Sequence, residues 1–356
     1  MMDELVAEYL ARIADAAAGG ARLAIRGGGS KSFYGGPERG ERLDLGAYRG
    51  IVAYEPTELV VTVRAGTRLV ELDAALAEKG QCLAFEPPHF RPTATVGGML
   101  AAGLSGPRRA SVGALRDFVL GVRLLSGTGE ILSFGGQVMK NVAGYDVARL
   151  MAGSLGTLGL LLDVSLKVLP LPVAEKTLRF AIGEAAALER LNQWGGKPLP
   201  ISASAWHDGV LSLRLSGAAA AVAAAQGLLA GEVLADAEAA TFWQSLREQT
   251  HAFFAGEDAL WRLSLPSVTP PQALGPTLIE WGGAQRWLRG GDPALIRATA
   301  LRAGGHATLF RADDALKAMV GVFQPLSPPL VRIHRNLKRA FDPQGVFNPG
   351  RLYPDL

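Results

Sequence analysis

The chain has 356 residues, too many for one ordinary hydrophobic core, so two or three domains are expected. Hydrophobic residues at 49% and charged residues at 19% exclude a disordered chain. The net charge of +3 comes from scattered arginines with no basic block interleaved with aromatics, which argues against nucleic acid and suits small anions or an acidic partner; the single cysteine, Cys82, excludes a disulfide framework and any iron–sulfur cluster ligated by cysteines within the chain.

Near the N-terminus Asp3, Glu4 and Glu8 stand where a secretory signal would be basic, and Leu5, Tyr9, Ile13 and Ala17 share one helical face. With a single cysteine and no disulfide framework, a cytosolic redox compartment is expected. Ala24 and Ile25 lead into Arg26-Gly27-Gly28-Gly29-Ser30-Lys31. Residues 59–63 read as a buried strand, and a helix opening at Thr67 points Leu69, Leu72, Ala75 and Leu76 inward before Gly80 stops it. Residues 119–125 and 130–134, joined by Ser126-Gly127-Thr128-Gly129, read as a hairpin. Residues 158–168 form a further strand, ended by Pro170 and Pro172. That proline pair marks a boundary, because all six tryptophans lie beyond it, from Trp194 to Trp287. Residues 218–234, mostly alanine but broken by Gln226, Gly227, Gly231 and Glu232, predict a surface helix rather than a membrane span. Leu330, Ile333, Leu337 and Phe341 mark a last helix that Asp342-Pro343 ends. Its Arg332, Arg335, Lys338 and Arg339 are either a solvated face or a dock for an acidic partner.

Four glycine-rich motifs carry the chemistry. In the first, residues 26–31, three consecutive glycines let successive backbone N–H groups converge into an anion nest, although an ordinary turn uses the same residues. The spacing is neither that of the dinucleotide fingerprint nor that of a P-loop. In the second, Thr95, Gly97 and Gly98 open a helix whose free N–H groups could face a phosphate or a flavin carbonyl; tight packing against a strand is the structural alternative. The third is Val138-Met139-Lys140-Asn141-Val142-Ala143-Gly144-Tyr145-Asp146, and the fourth is Gly153-Ser154-Leu155-Gly156-Thr157-Leu158-Gly159.

The ordered set of these motifs, with Gly113-Ala114-Leu115-Arg116-Asp117 between them, resembles the FAD-binding domain of the vanillyl-alcohol-oxidase and p-cresol-methylhydroxylase (PCMH-type) superfamily. The closing Phe341-Asp342-Pro343-Gln344-Gly345-Val346-Phe347-Asn348-Pro349-Gly350 is similar to that superfamily's C-terminal signature. Residues 138–146, 260–266 and 280–288 narrow the resemblance to the smaller, FAD-binding flavin subunits of bacterial glycolate oxidases. It covers essentially the whole chain. It implies an α+β fold: a PCMH-type FAD-binding domain of two α/β subdomains over residues 1–172, an α+β cap over 173–325, and a C-terminal segment, 326–356, returning to the FAD domain. It also implies FAD, a larger flavin subunit and an iron–sulfur subunit as partners, a small 2-hydroxy acid as substrate, and a cytoplasmic place, peripheral at the inner membrane through the complex.

Carried over by resemblance, Arg26, Gly27, Gly28, Gly29, Ser30 and Lys31 would wrap the pyrophosphate, and Thr95, Gly97, Gly98, Ser105 and Gly106 would run along pyrophosphate and flavin. Gly113 and Asp117 would approach the adenosine or ribityl region. Gly156, Thr157, Leu158, Gly159 and Leu160 would lie near adenine or ring atoms, and Asn348 would return to the flavin side. Some relatives attach FAD through a histidine in the first loop; Ser30 stands at about that place, so the FAD is expected to be non-covalent. No two of His89, His207, His251, His306 and His334 have metal-ligand spacing on one element, so no metal is expected. In the cap, Arg262 and Arg286, beside Trp261, Trp281 and Trp287, could clamp a carboxylate, or form structural arginine–tryptophan stacks. His306 or His334 is left as the histidine that folding could bring to the flavin. Without the paired histidines of related dehydrogenases, the isolated chain is expected to react slowly with glycolate. A self-sufficient flavin dehydrogenase and a non-catalytic flavin scaffold remain as alternatives.

Overall fold

A computed structural model describes residues 2–136 and 146–356. Residues 138–145 of the third motif, Tyr145 included, lie outside them. The strands, in chain order, are β1 Leu23–Arg26, β2 Glu41–Asp44, β3 Ile51–Glu55, β4 Val60–Arg64, β5 Gln81–Cys82, β6 Val119–Leu125, β7 Ile131–Gly135, β8 Leu160–Lys167, β9 Leu169–Pro170, β10 Ala174–Ala181, β11 Ile201–His207, β12 Val210–Gly217, β13 Glu232–Val233, β14 Leu260–Ser264, β15 Thr277–Glu280, β16 Gln285–Arg289 and β17 His306–Arg311.

The first lobe pairs β1 with β2 in parallel and stacks an antiparallel sheet in the order β3-β4-β8-β6-β7. Its inner strands are apolar on both faces because helices and loops cover both. Val61, Val63, Leu160, Leu162, Val164 and Leu166 are fully buried, and Thr62 and Ser165 between them share a hydroxyl–hydroxyl bond of 2.8 Å. The helix Leu69–Ala77 sends Leu69, Leu72 and Leu76 into this core. It opens two residues later than expected, since Thr67 accepts from the Gly50 amide and donates to the Gly50 carbonyl. The strand expected from Leu59 begins at Val60, because Leu59 sits in the left-handed region (φ 56°) at the end of a short turn.

The second lobe is one antiparallel sheet in the order β13-β10-β12-β11-β15-β16-β14-β17. Strand alternation sorts its residues. Trp261 and Leu263 of β14 pack outward against Ile296 and Ala300 of the helix Pro293–Arg302. Leu260 of β14, with Leu278, Trp287 and Phe310, packs inward against Tyr34, Ala102, Leu104 and Leu155 of the first lobe. The alanine-rich segment is the helix Ala219–Leu229, lying on this sheet through Val222 and Ala225. Among the described residues no helix is long and apolar enough to cross a membrane. An ionic network joins the lobes: Arg214 of β12, itself buried, donates twice to Glu86, at 2.8 and 2.9 Å, and Arg108 reaches the exposed Glu175 of β10 at 2.8 Å.

After the helix Pro328–Phe341 the chain returns to the first lobe. Leu23 donates to Val346 and Asn348 donates to Leu23, which seats the C-terminal segment beside β1. Asp342, 1% exposed, holds that turn by accepting from Lys338 and from the amides of Val346 and Phe347.

Candidate functional site

The end of β1 opens into a cleft of about 820 Å³ between the triple-glycine loop, the Thr95–Ala102 turn and helix start, the 155–161 turn and Asn348. Among the described residues no protein group accepts a hydrogen bond from the amides of Gly27, Gly28, Gly29, Ser30 or Lys31. The loop keeps them bare by leaving no space for side chains. A Cβ on Gly28 would stand 1.4 Å from the Thr93 carbonyl oxygen, and one on Gly27 would stand 2.2 Å from Thr95 Oγ1. The left-handed residue is Gly29 (φ 66°). Two cations flank the row. Arg26 Nε is buried without an acceptor, and Lys31 is buried, its pKa pulled down to about 8 by desolvation against the opposing pull of Glu248. Lys31 therefore stays charged at neutral pH. Unpartnered amides and partly desolvated cations together suit a diphosphate.

The second motif works differently from expectation. The Gly97 amide is spent on the Ala65 carbonyl at 2.8 Å, and the Gly98 amide on Thr95 Oγ1 at 3.2 Å. Neither is free for a phosphate. Close packing explains Gly97 instead, since a Cβ there would meet Ala65 Cβ at 2.8 Å; Gly97 and Gly98 line the cleft as bare backbone. Asn348 also lines it and acts as a latch. Its Oδ1 accepts from the Ile25 amide at 2.7 Å and its Nδ2 donates to the Leu155 carbonyl at 2.6 Å, tying β1 to the Gly156 turn.

Other expected residues fall outside this cleft. Gly156 and Gly159 line it, but Thr157 bonds the Ser154 carbonyl, Leu160 is fully buried in the core, and Leu158 faces a separate groove beside the last helix. Asp117 caps a short turn by accepting from the Ala114 amide, next to Gly113, and neither lines the cleft. Ser105 accepts from the Leu115 amide; with Gly106 it lines a different, small cavity between the lobes.

The four candidates in the second lobe separate. Arg286, 1% exposed, spends its guanidinium on the carbonyls of Gly283, Thr269 and Pro270, so its fork is not free for a substrate carboxylate. Trp281 donates to the Gly106 carbonyl at 3.0 Å and carries the Arg109 guanidinium 4.5 Å over its ring. Arg262 faces the first lobe, donating to Tyr34 Oη at 3.1 Å, and has no carboxylate partner among the described residues. His306 lies exposed at the start of β17, where partial desolvation and the Arg262 charge lower its pKa.

Two residues were missed. Arg351 lines the cleft while its guanidinium bonds the carbonyls of Ser32, Tyr34 and Gly36, fixing the loop that follows the nest. Glu280, at the end of β15, lines the inter-lobe cavity with Arg262, Ser105 and Gly106. Burial pushes its pKa up to about 7 even though Trp287 and Gln285 donate to Oε2 at 2.6 and 3.0 Å. No motif announces Glu280; the alternation of β15, which points it to the same face as Leu278, was the available signal.

A model of the FAD binding domain matches residues 5–135, so the cleft belongs to an FAD-dependent oxidoreductase and the mixed α+β fold is that of the PCMH type. Over 336 residues the chain is 51% identical to the glycolate oxidase subunit GlcE of Escherichia coli, spanning 94% of this chain and 93% of that one. The chain belongs to the GlcE family. It is also 35% identical over 129 residues to the glycolate oxidase subunit GlcD of Bacillus subtilis, which is 36% of this chain and 27% of that one. A D-lactate dehydrogenase of Anaerostipes hadrus is 37% identical over 153 residues, 43% of this chain and 31% of that one. Alkyldihydroxyacetonephosphate synthase superposes with a TM-score of 0.65 at 15% identity, over 96% of this chain and 74% of that one, a likeness of fold.

Proposed function

We propose that the chain holds one non-covalent FAD and serves as the FAD-binding subunit of a glycolate oxidase, taking part in the oxidation of glycolate to glyoxylate and passing the electrons to partner subunits. Residues 1–172 and 326–356 form the FAD-binding part in this reading, and 173–325 the cap. The observation that carries it is the row of unpartnered amides at residues 27–31, set between the buried Arg26 Nε and Lys31.

When bound, FAD supplies a hydride acceptor. The protein's own residues do the rest: the nest and its two cations bind the diphosphate, Asn348 holds the Gly156 turn against β1, and Arg351 fixes the loop beyond. Among the described residues no histidine, cysteine or tyrosine lines the cleft, which supports a dissociable cofactor. Cys82 pairs in β5 with β9, and burial raises its pKa. No cluster can be ligated by cysteines within this chain, so electrons leaving the flavin pass to carriers on partners, a larger flavin subunit and an iron–sulfur subunit. Acid precipitation of the purified yellow chain should release all of its FAD; flavin kept by the denatured pellet overturns the non-covalent reading.

A second reading, a 2-hydroxy-acid dehydrogenase active without partners, is favoured by Arg262 and Glu280 sharing one cavity. Anaerobic bleaching of the isolated chain by glycolate, compared with the assembled complex, separates the two.

A further inference from the structure

Glu248 is a carboxylate at the unfavourable end of a helix. It directly follows the helix Asp236–Arg247 of the second lobe, where the last carbonyls disfavour a negative charge. Its charge is met from outside the helix axis. Oε2 accepts from the His89 amide at 3.1 Å and from the Phe90 amide at 2.7 Å, both in the first lobe, and Arg247 Nε donates to Oε1 at 2.7 Å. The segment it grips is not relaxed. Phe90 sits in the left-handed region (φ 59°), which a bulky residue keeps only when its surroundings hold it there. Held so, the Phe90 ring lies 5.6 Å from the Lys31 ammonium and packs against Phe33 and against Phe310 of β17. Lys31 is buried and lines the cofactor cleft, and its one hydrogen bond among the described residues is a long one, 3.4 Å to Ser30 Oγ. No carboxylate among the described residues stands at ion-pair distance from it. A buried cation with so few partners depends on the ring beside it and on the more distant Glu248 charge.

We infer that Glu248 is a positioning residue for the cofactor cradle: from the second lobe it holds Phe90 over the Lys31 ammonium and so sets that cation beside the diphosphate nest. The inference rests on the reading of the cleft as the FAD site. It makes FAD retention depend on a lobe that, among the described residues, supplies none of the cleft wall. Two influences act on the Lys31 proton in opposite directions: burial drives it off and Glu248 retains it, with the balance at about 8. The other charged groups around this contact are already placed. Arg26 lies 3.9 Å from Glu38 in the cleft wall, and Arg351 is tied to loop carbonyls. Arg311 stacks on Phe33, and Lys317 donates to the Phe33 carbonyl. On the loop itself, His89 Nε2 lies 3.1 Å from Asp73, Arg91 is exposed, and Glu86 is held by Arg214. An anionic diphosphate binds a charged Lys31 more tightly than a neutral one, so affinity is complete below about pH 8 and declines as pH rises above it.

The test is FAD affinity against pH, read by flavin fluorescence in titrations of the full-length apo chain between about pH 6 and pH 9. In the wild type the affinity should fall about tenfold between pH 7 and pH 9, with the bend at about pH 8. Glu248→Gln keeps the shape and an acceptor for the loop amides but removes the charge. Its affinity should bend at a lower pH, so that it binds FAD several-fold more weakly than wild type at about pH 8 and nearly as well at about pH 6. Phe90→Leu leaves both amide bonds to Glu248 in place and should move the bend the same way, which decides the matter if Glu248→Gln does not fold. Lys31→Met should flatten the profile. A loss of equal size at every pH in Glu248→Gln would make Glu248 only a brace for the loop and overturns the inference. An unmoved bend in both Glu248→Gln and Phe90→Leu, or a wild-type profile that is flat through pH 8, overturns it too, and leaves the FAD cradle standing. A chain that takes up no FAD at any pH instead overturns the reading of the cleft itself.

Discussion

The two faces of the site are built from opposite materials. The cradle face offers the proposed cofactor backbone: bare amides at residues 27–31, and a glycine at 97 whose missing side chain lets the helix close on Ala65. The cap face meets its cavity with side chains, the buried Glu280 and the half-buried Arg262, delivered by strands that are neighbours in the sheet through β16. A backbone site depends on local sequence and fails through steric intrusion. A side-chain site depends on register and fails through charge. Each kind of failure can be provoked separately.

The largest effect is expected on the cradle. Gly28→Val puts a Cβ inside the Thr93 carbonyl, so either the loop or the Thr93 turn must move, and an overpacked site of this kind forfeits about 1–3 kcal/mol or more. FAD affinity, measured by fluorescence titration of the apo chain, should fall by about 10²-fold or more, with a smaller loss in apo-protein melting temperature. Retained affinity would show that the loop is only a turn. Next in size is the cap's buried carboxyl, and here the sign can be worked out. Glu280 is raised from its ordinary 4.5 to about 7 by burial, so the folded protein holds this proton more tightly than the unfolded chain does. The stability it lends is complete below about pH 4.5 and is lost as pH rises through 7. Glu280→Gln removes the ionisable group while keeping an acceptor for Trp287. Relative to wild type it should gain roughly 3 kcal/mol between pH 4.5 and pH 8 in urea unfolding. A gap that stays constant with pH would mean that Glu280 is charged in the fold throughout.

A smaller effect belongs to the junction of the two faces. Asn348→Ala removes both latch bonds and leaves the Leu155 carbonyl and the Ile25 amide without partners, which is worth about 1–3 kcal/mol. Denaturation midpoints should fall, and FAD affinity with them, since Gly156 and β1 border the same cleft. A loss of stability with full FAD affinity would separate the latch from the cradle.

What was legible in the sequence follows the same division. The strands, the hairpin, the alanine-rich helix and the last helix could be read because apolar spacing and turn residues are local. The triple glycine could be read because a backbone nest needs a run of residues without side chains. The Gly97-Gly98 pair misled about mechanism: whether a helix-start amide is free depends on Ala65, which only the packed sheet brings near. Glu280 and Arg351 were missed because each gains its meaning from partners far along the chain, Ser105 and Arg262 for one and the carbonyls of Ser32, Tyr34 and Gly36 for the other. Arg286 was misread for the same reason, since adjacency to tryptophan in sequence does not say which way a guanidinium points.

Arg286 gives the last and smallest test, and the sharpest on the cap. From sequence, Arg286→Lys should damage turnover by breaking a bidentate carboxylate clamp. In the structure the guanidinium ties the carbonyls of Gly283, Thr269 and Pro270 together, and burial lowers its pKa against the pull of Glu184. Lysine keeps a charge there but cannot span three carbonyls from a fixed planar fork, so one or two of them lose a charge-assisted bond. The expected loss is about 1–2 kcal/mol of stability, seen as a lower denaturation midpoint, with FAD content and glycolate KM unchanged. The same substitution at Arg262 should raise KM under the second reading and cost less stability, because among the described residues its one side-chain hydrogen bond goes to the Tyr34 hydroxyl, beside its place over the Tyr34 and Phe310 rings. If Arg286→Lys raises KM and spares stability, the guanidinium clamps a carboxylate as the sequence suggested, and its ties to the carbonyls of Gly283, Thr269 and Pro270 are not its role.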